Sequence, residues 1–205
     1  MCIEKMKKIL ISAFMLVISL MANAQGMYEI SLKYAPLRST SELYGEKESG
    51  TDSGVEIEFN NYFSIKNGSP IYLNLGLGLQ YAWDSGEGQL LGLTGKVKES
   101  ILVGRVPVGL VYHHDLSEKY AIELSLGLDA SYYLLCEDKL NGHSYDVADS
   151  DGFNRFNFGW HGGIDAVFFK TLVVGLGYQN DFTKYYENGV ESKASMFSLK
   201  LGYRF

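Results

Sequence analysis

Apolar and polar residues alternate with a period of two along most of this chain. The final stretch, residues 194–205, shows it most plainly. Ser195, Phe197, Leu199, Leu201, Tyr203 and Phe205 fall on one face, and Met196, Ser198, Lys200, Gly202 and Arg204 on the other, the period of a strand with one apolar side. The same alternation marks segments 28–35, 55–65, 71–81, 101–113, 120–133, 154–168 and 172–182. In 71–81, for example, Ile71, Leu73, Leu75, Leu77, Leu79 and Tyr81 oppose Tyr72, Asn74, Gly76, Gly78 and Gln80. Each segment is expected to be a strand. Pro107 lacks a ladder donor, so a bulge is expected there.

Segment 71–81 rises about 3.3 Å per residue and, tilted near 45°, spans roughly 25 Å, the apolar band of a membrane barrel. The connections alternate as well. Residues 38–54, 82–100, 137–153 and 184–193 are long and polar, while 66–70, 114–119 and 169–171 are short turns. Residues 89–97 read as loop or as an outward extension of the fourth strand. Lipid offers no hydrogen bonds, so a sheet crossing it must close on itself. The expected fold is therefore all-β, an eight-stranded antiparallel up-and-down transmembrane β-barrel with long loops at one end. Aromatic residues are expected at both rims, Tyr34, Tyr81, Trp83, Tyr132 and Phe156 at one and Tyr112, Tyr120, Phe168, Tyr203 and Phe205 at the other. The competing arrangement is a soluble lipocalin-like barrel with the leucines of 73–79 inside.

The N-terminal residues change the picture from a barrel to an exported one. A 13-residue apolar run, 9–21, follows Lys5, Lys7 and Lys8 and precedes Ala22-Asn23-Ala24, the form of a cleaved secretory signal. The run is too short to span a membrane as a helix. Residues 1–24 are thus expected to be removed before Gln25, leaving a barrel domain of 25–205; Met6 is an alternative start. Loss of three lysines and Glu4 shifts the net charge from −6 to −8. That acidity argues against a nucleic-acid partner. Cys136 is then the lone cysteine, read as a small apolar residue.

On the membrane reading the polar faces line the lumen. Five cations, Lys33, Arg105, Arg155, Lys200 and Arg204, face seven anions, Glu29, Glu56, Glu58, Glu123, Asp129, Asp165 and Asp181, with His161 beside them. Charges in so narrow a tube must pair, so a salt-bridge network filling the lumen is expected, with inner-face glycines leaving space. A conducting pore is the alternative.

The Ala-Asn-Ala signal end, the eight alternating strands and the final Tyr203-Arg204-Phe205 resemble the small Gram-negative outer-membrane β-barrel family of the OmpA/OmpX-like type. The resemblance implies an outer-membrane location, contact with outer-membrane lipid, a monomer, and recognition of Phe205 and Tyr203 by the barrel-assembly machinery. No phosphate loop, CxxC zinc pattern or dinucleotide fingerprint occurs in the sequence, so no cofactor is expected. Some such barrels modify lipids, which would need His, Ser and a carboxylate converging at the rim. His143, Ser144, Asp146 and Asp149 have those types but read as polar loop, while His113 and His114 belong to a turn. Asp138, Asp146, Asp149 and Asp151 lack the regular ligand ladder of a calcium loop. The chain is expected to be a structural or surface-interaction protein and not an enzyme, with no metal site and an unidentified extracellular ligand.

Overall fold

A computed structural model describes residues 26–43, 46–90, 93–140, 143–149, 153–184 and 190–205. The expected signal segment and its cleavage position lie outside the described residues. The first wall of the barrel is made of two strands, β1 (Met27–Tyr34) and β2 (Leu37–Leu43), separated at Ala35-Pro36. Proline has no N–H to give the ladder, but Ala35 N donates to Gly54 O at 2.8 Å and carries the wall across the break. Then follow β3 (Glu46–Ser64), β4 (Ile71–Leu90), β5 (Leu93–Asp115), β6 (Tyr120–Leu140), the short β7 (His143–Asp146), a 3-10 turn (Val147–Asp149), β8 (Phe156–Phe168), β9 (Leu172–Asp181) and β10 (Val190–Arg204).

All pairings are antiparallel, and β7 pairs only with the upper end of β6, on the side that β8 takes lower down. The ring closes where β10 pairs with β1, in the register Glu29↔Arg204 through Tyr34↔Leu199, and with β2 above it. Eight walls result, as the alternation required. The partition of side chains is inverted relative to a soluble protein. Leu126 is 65% exposed and Leu128 61%, whereas Glu29 is fully buried and Glu56 and Glu123 nearly so. Carboxylates inside and leucines outside suit a wall bathed in hydrocarbon. The lipocalin-like arrangement, with 73–79 inside, is overturned: Leu73 and Leu79 face outward. Tyr81 stacks on Trp83 at 5.6 Å, and Tyr120 meets Phe168 edge-on at 5.9 Å, one pair at each rim.

Three local expectations are corrected. Segments 38–54 and 82–100 are not loops for most of their length. β2–β3 and β4–β5 run on past the upper aromatic rim as hairpins, Leu90 pairing with Leu93, so 89–97 does extend the fourth wall. Beyond a bilayer, water satisfies polar faces, so these ladders continue without apolar alternation. Pro107 causes no bulge: the β4–β5 register is the same on either side of it, with the pairs at Val106 and Pro107 missing. The bulge lies at Leu134, because Leu102 pairs with Leu135 and Val103 with Tyr133. Arg155 precedes β8 and does not share its inward face.

Candidate functional site

The lumen is layered, and inward positions of every wall contribute. At the short-turn end Arg204 on β10 donates Nη1 to Glu123 Oε1 at 2.7 Å and Nη2 to Glu123 Oε2 at 2.8 Å and Glu29 Oε2 at 2.7 Å. Its guanidinium lies 4.7 Å over the Tyr62 ring, whose hydroxyl donates to Glu29 at 3.2 Å. His113 stands between two carboxylates, Nδ1 2.7 Å from Glu123 and Nε2 3.1 Å from Asp115. One layer up, Lys200 reaches Glu29 at 3.1 Å and also Asp165. Above that, Lys33 bonds Glu56 at 2.9 Å and Glu58 at 2.6 Å. Arg105 donates to Gln80 Oε1 from Nε at 3.2 Å and from Nη2 at 2.7 Å, with Glu56 3.6 Å away. His161 Nδ1 is 3.0 Å from Asp129. Its ring occupies room cleared by Gly109 and Gly127, where a Cβ would strike backbone of the facing strand.

Of the lumen residues expected from the sequence, Glu29, Lys33, Glu56, Glu58, Arg105, Glu123, Asp129, His161, Asp165, Lys200 and Arg204 are brought together inside the barrel. Arg155 is the exception. It sits at the long-hairpin rim, donating Nε to Ala148 O at 3.2 Å and Nη1 to Tyr133 O at 3.3 Å, with Asp146 at 3.7 Å. Tyr62, Gln80 and His113 join the network unforeseen. Their inward parity was legible; their bonds depend on cross-barrel distances that alternation does not encode.

A cavity of about 80 Å³ lies within the network, lined by Asn60, Asn74, Arg105, Asp129 and His161 among others. Asn60 Oδ1, Asn74 Oδ1 and Arg105 Nη1 are buried without a protein partner. Polar atoms so placed call for water or another small polar guest.

The long-hairpin end is different. Above Gln80 and Arg105 the inward positions turn apolar: Leu37, Ala82, Ile101, Val103, Tyr133, Cys136, Ala148 and Ala194 form one buried cluster, with Val147 and Phe153 packed against it. Four carboxylates stand one inward position further out. Asp52, Asp84, Glu99 and Asp138 lie two residues beyond Gly54, Ala82, Ile101 and Cys136. Asp84 pairs with Glu99 and Glu99 with Asp138, and Asp52 follows the pair Ser53↔Trp83. The row lies outside the aromatic rim. Burial, with the neighbouring acids, pushes the Asp52 carboxyl up to about 6 and the Glu99 carboxyl up to about 7. Burial beside Glu99 and Asp138 pushes the Cys136 thiol up to about 12, so it is an unreactive thiol at neutral pH.

No hydrolytic constellation is assembled among the described side chains. The Ser144 hydroxyl donates to Glu137, and Asp146 Oδ1 accepts from Ala148 N at 3.0 Å. The side chains of His143 and Asp149, and all of Asp151, lie outside the described residues. Among the described residues no three His, Cys, Asp or Glu side chains converge to hold a metal ion. Tyr203 and Phe205 face outward and stack at 6.3 Å, and Phe205 stacks on Tyr28 at 6.0 Å.

No protein-family model and no curated protein matches the chain. Solved structures do. Neisserial surface protein A matches with a TM-score of 0.52 at 10% identity, covering 88% of this chain and 100% of its own. The attachment invasion locus protein Ail of Yersinia pestis, solved with the heparin analogue sucrose octasulfate, matches at 0.51 and 16% identity over 89% and 100%. The outer membrane enzyme PagL matches at 0.50 and 10% identity over 83% and 97%. These likenesses establish the fold, that of the small outer-membrane β-barrels. Because they include an enzyme and a surface protein, they do not choose an activity.

Proposed function

We propose that this chain is an outer-membrane β-barrel with a closed lumen, acting through the hairpins it raises on the cell-surface side rather than by catalysis or by passive conduction. The observation that carries this reading is the ion network. Arg204, Lys200, Lys33 and Arg105 are each bonded to side chains from other walls, so the walls are tied across the lumen where a pore would need open water. A buried pair is costly to break, because a lone charge would remain in a poorly solvating interior. The apolar cluster closes the other end. What projects is polar wall: β2–β3 and β4–β5 extend beyond the aromatic rim, and that surface is where a partner outside the cell would meet the protein. In this reading the short turns face the periplasm, the outward leucines contact lipid, and the barrel-assembly machinery recognises the outward pair Tyr203 and Phe205 during insertion.

The test combines two measurements on the protein folded from its membrane fraction. Boiled and unboiled samples are expected to migrate differently on detergent gels, and the unboiled form is expected to pass no ion current above background in planar bilayers. A steady single-channel current would overturn the closed lumen and favour a small pore. Recovery in the soluble fraction with no mobility shift would overturn the membrane assignment.

A further inference from the structure

The ladder between β3 and β4 stops at Ser53↔Trp83, although both strands continue, β3 back to Glu46 and β4 on to Leu90. Above that pair β3 is bonded only to β2 and β4 only to β5. Among the described residues the wall is therefore split, and runs 46–52 and 84–90 each keep one unpaired edge. Backbone groups of a strand alternate between its two edges. Just past β3, Ile65 N donates to Ile71 O, while Gly54 O accepts from Ala35 N on the opposite side. Odd-numbered residues of β3, among them Ser49 and Thr51, thus turn their N–H and C=O to the split, and Ser85 on β4, in phase with Ile71, does likewise.

Charge explains the split. The next facing positions would be Asp52 and Asp84, and like charges directly opposite are destabilising. Gly50 and Gly86 follow, with no side chains to hold a ladder together. A Cβ on Gly86 would meet nothing within 4 Å, so the space beside it is open. Asp52 is 6% exposed, yet it makes no hydrogen bond or ion pair among the described residues. A carboxylate buried in this way calls for a cation. The two runs hold Glu46, Glu48, Asp52, Asp84 and Glu87 against Lys47. Among the described residues no three acidic side chains converge as a metal ion would need, so the cations that fit are spaced along a strand.

We propose that the split between β3 and β4 receives an extended, lysine- or arginine-bearing segment of a partner polypeptide outside the cell, which adds as a strand to a free edge and sets its cations against Asp52 and Asp84. This rests on the reading that the raised hairpins are the contact surface, and it names what they contact. Main-chain bonds to Ser49, Thr51 or Ser85 supply the grip, and the carboxylates select the charge. Runs 46–52 and 84–90 are as long as an ordinary strand, so several such bonds form together. A second copy of this chain would bring the same carboxylates to the edge, and like charge opposes that pairing.

The probe is a fluorescent peptide of alternating lysine and threonine, added to the full chain in nanodiscs near pH 8 and at low salt, with binding read by anisotropy. It is expected to bind, and its glutamate-for-lysine counterpart is not. A version with proline at alternate threonines keeps the charge but cannot form a ladder, and is expected to bind about tenfold more weakly. On the protein, Thr51→Pro and Ser85→Pro remove donors that no described strand uses, so the fold is spared. At least one of them is expected to weaken binding about tenfold. Asp52→Asn with Asp84→Asn should weaken it as much, which keeps the test open if the proline variants fail to fold. Binding unchanged by proline in the peptide, by both wall prolines or by the double asparagine variant would overturn the proposal and leave only a diffuse attraction to the acid row. So would no binding by protein that keeps its folded gel mobility. A dimer of the unaltered protein that Thr51→Pro or Ser85→Pro dissolves would overturn it in favour of a second copy. Absence of the mobility shift, or a steady current, would instead sink the closed-barrel reading on which it stands.

Discussion

The lower and upper parts of the barrel interior follow opposite rules, and β5 runs through both. From the short-turn end its inward residues are His113, then Arg105, bonded into the ion network, followed by Val103 and Ile101 in the apolar cluster and Glu99 at the mouth. Its outward residues change in the opposite sense, from exposed Leu110 and Val108 to exposed Lys98 and Lys96. The phase of the alternation is kept, but its polarity inverts between Arg105 and Ile101. Where lipid surrounds the wall, apolar side chains face out and the interior must neutralise itself. Where water surrounds it, the ordinary partition returns. The inversion marks where the bilayer ends, independently of the aromatic rim.

This comparison can be broken first at Arg204. Replacing it with Met removes a buried cation bonded to both Glu29 and Glu123 and should cost about 3–5 kcal/mol, read as a lower urea midpoint for the whole barrel in liposomes. Gly127→Ala comes next. A Cβ there would strike the backbone of β5 and the His161 ring, and overpacking of this kind costs about 1–3 kcal/mol, again in global unfolding. In the apolar half, Ile101→Val should cost only about 0.5–1.5 kcal/mol, and hydrogen exchange should locate the loss in β4–β6 above the rim rather than throughout.

The acid row sharpens the contrast through pH. Asp52 and Glu99 have folded values of about 6 and about 7, above the unfolded carboxyl value near 4. The folded mouth therefore holds more protons than the unfolded chain. Its stability should rise as pH falls through 7 and 6 toward 4, and fall as pH rises through the same window. Exchange rates of the 99–103 amides, corrected for intrinsic chemistry, should show about tenfold more protection near pH 5 than near pH 8, and Asp52→Asn with Glu99→Gln should flatten that slope. Unchanged slope in the double variant would remove the row from the account. The smallest effect belongs to Lys139→Gln. Lys139 is half exposed, its pair with Glu137 lies at 3.0 Å, and such pairs contribute less than about 0.5 kcal/mol.

The sequence disclosed the walls, their facing and the identity of nearly all the lumen charges, because a two-residue period settles which side chains share a face. Val55, Ile57 and Phe59 against Glu56, Glu58 and Asn60 left little choice. It did not disclose which charge meets which. Glu29 and Arg204 are brought together by a seam between strands at opposite ends of the chain, and their pairing depends on register and shear. Nor did it show that polar stretches such as 38–43 continue as strand, since a ladder wet on its outer side needs no apolar face there. Arg155 was misplaced for a related reason: alternation run backward from Phe156 assigns it inward, but the strand has already ended.

The seam between β1 and β10 carries a consequence for the order of events in folding. Tyr28 and Phe205 exchange backbone hydrogen bonds at 3.1 and 2.9 Å, joining segments separated by nearly the whole chain. Every other neighbour in the ring can meet across a hairpin, whereas this one must await all of them and bears the largest loop-closure entropy. Until it forms, β1 offers a bare edge and Glu29 lacks both Arg204 and Lys200. Closure of the sheet is thus also the step that gives Glu29 its cations, so a chain stalled before it is left with an edge to aggregate and an uncompensated charge in one place.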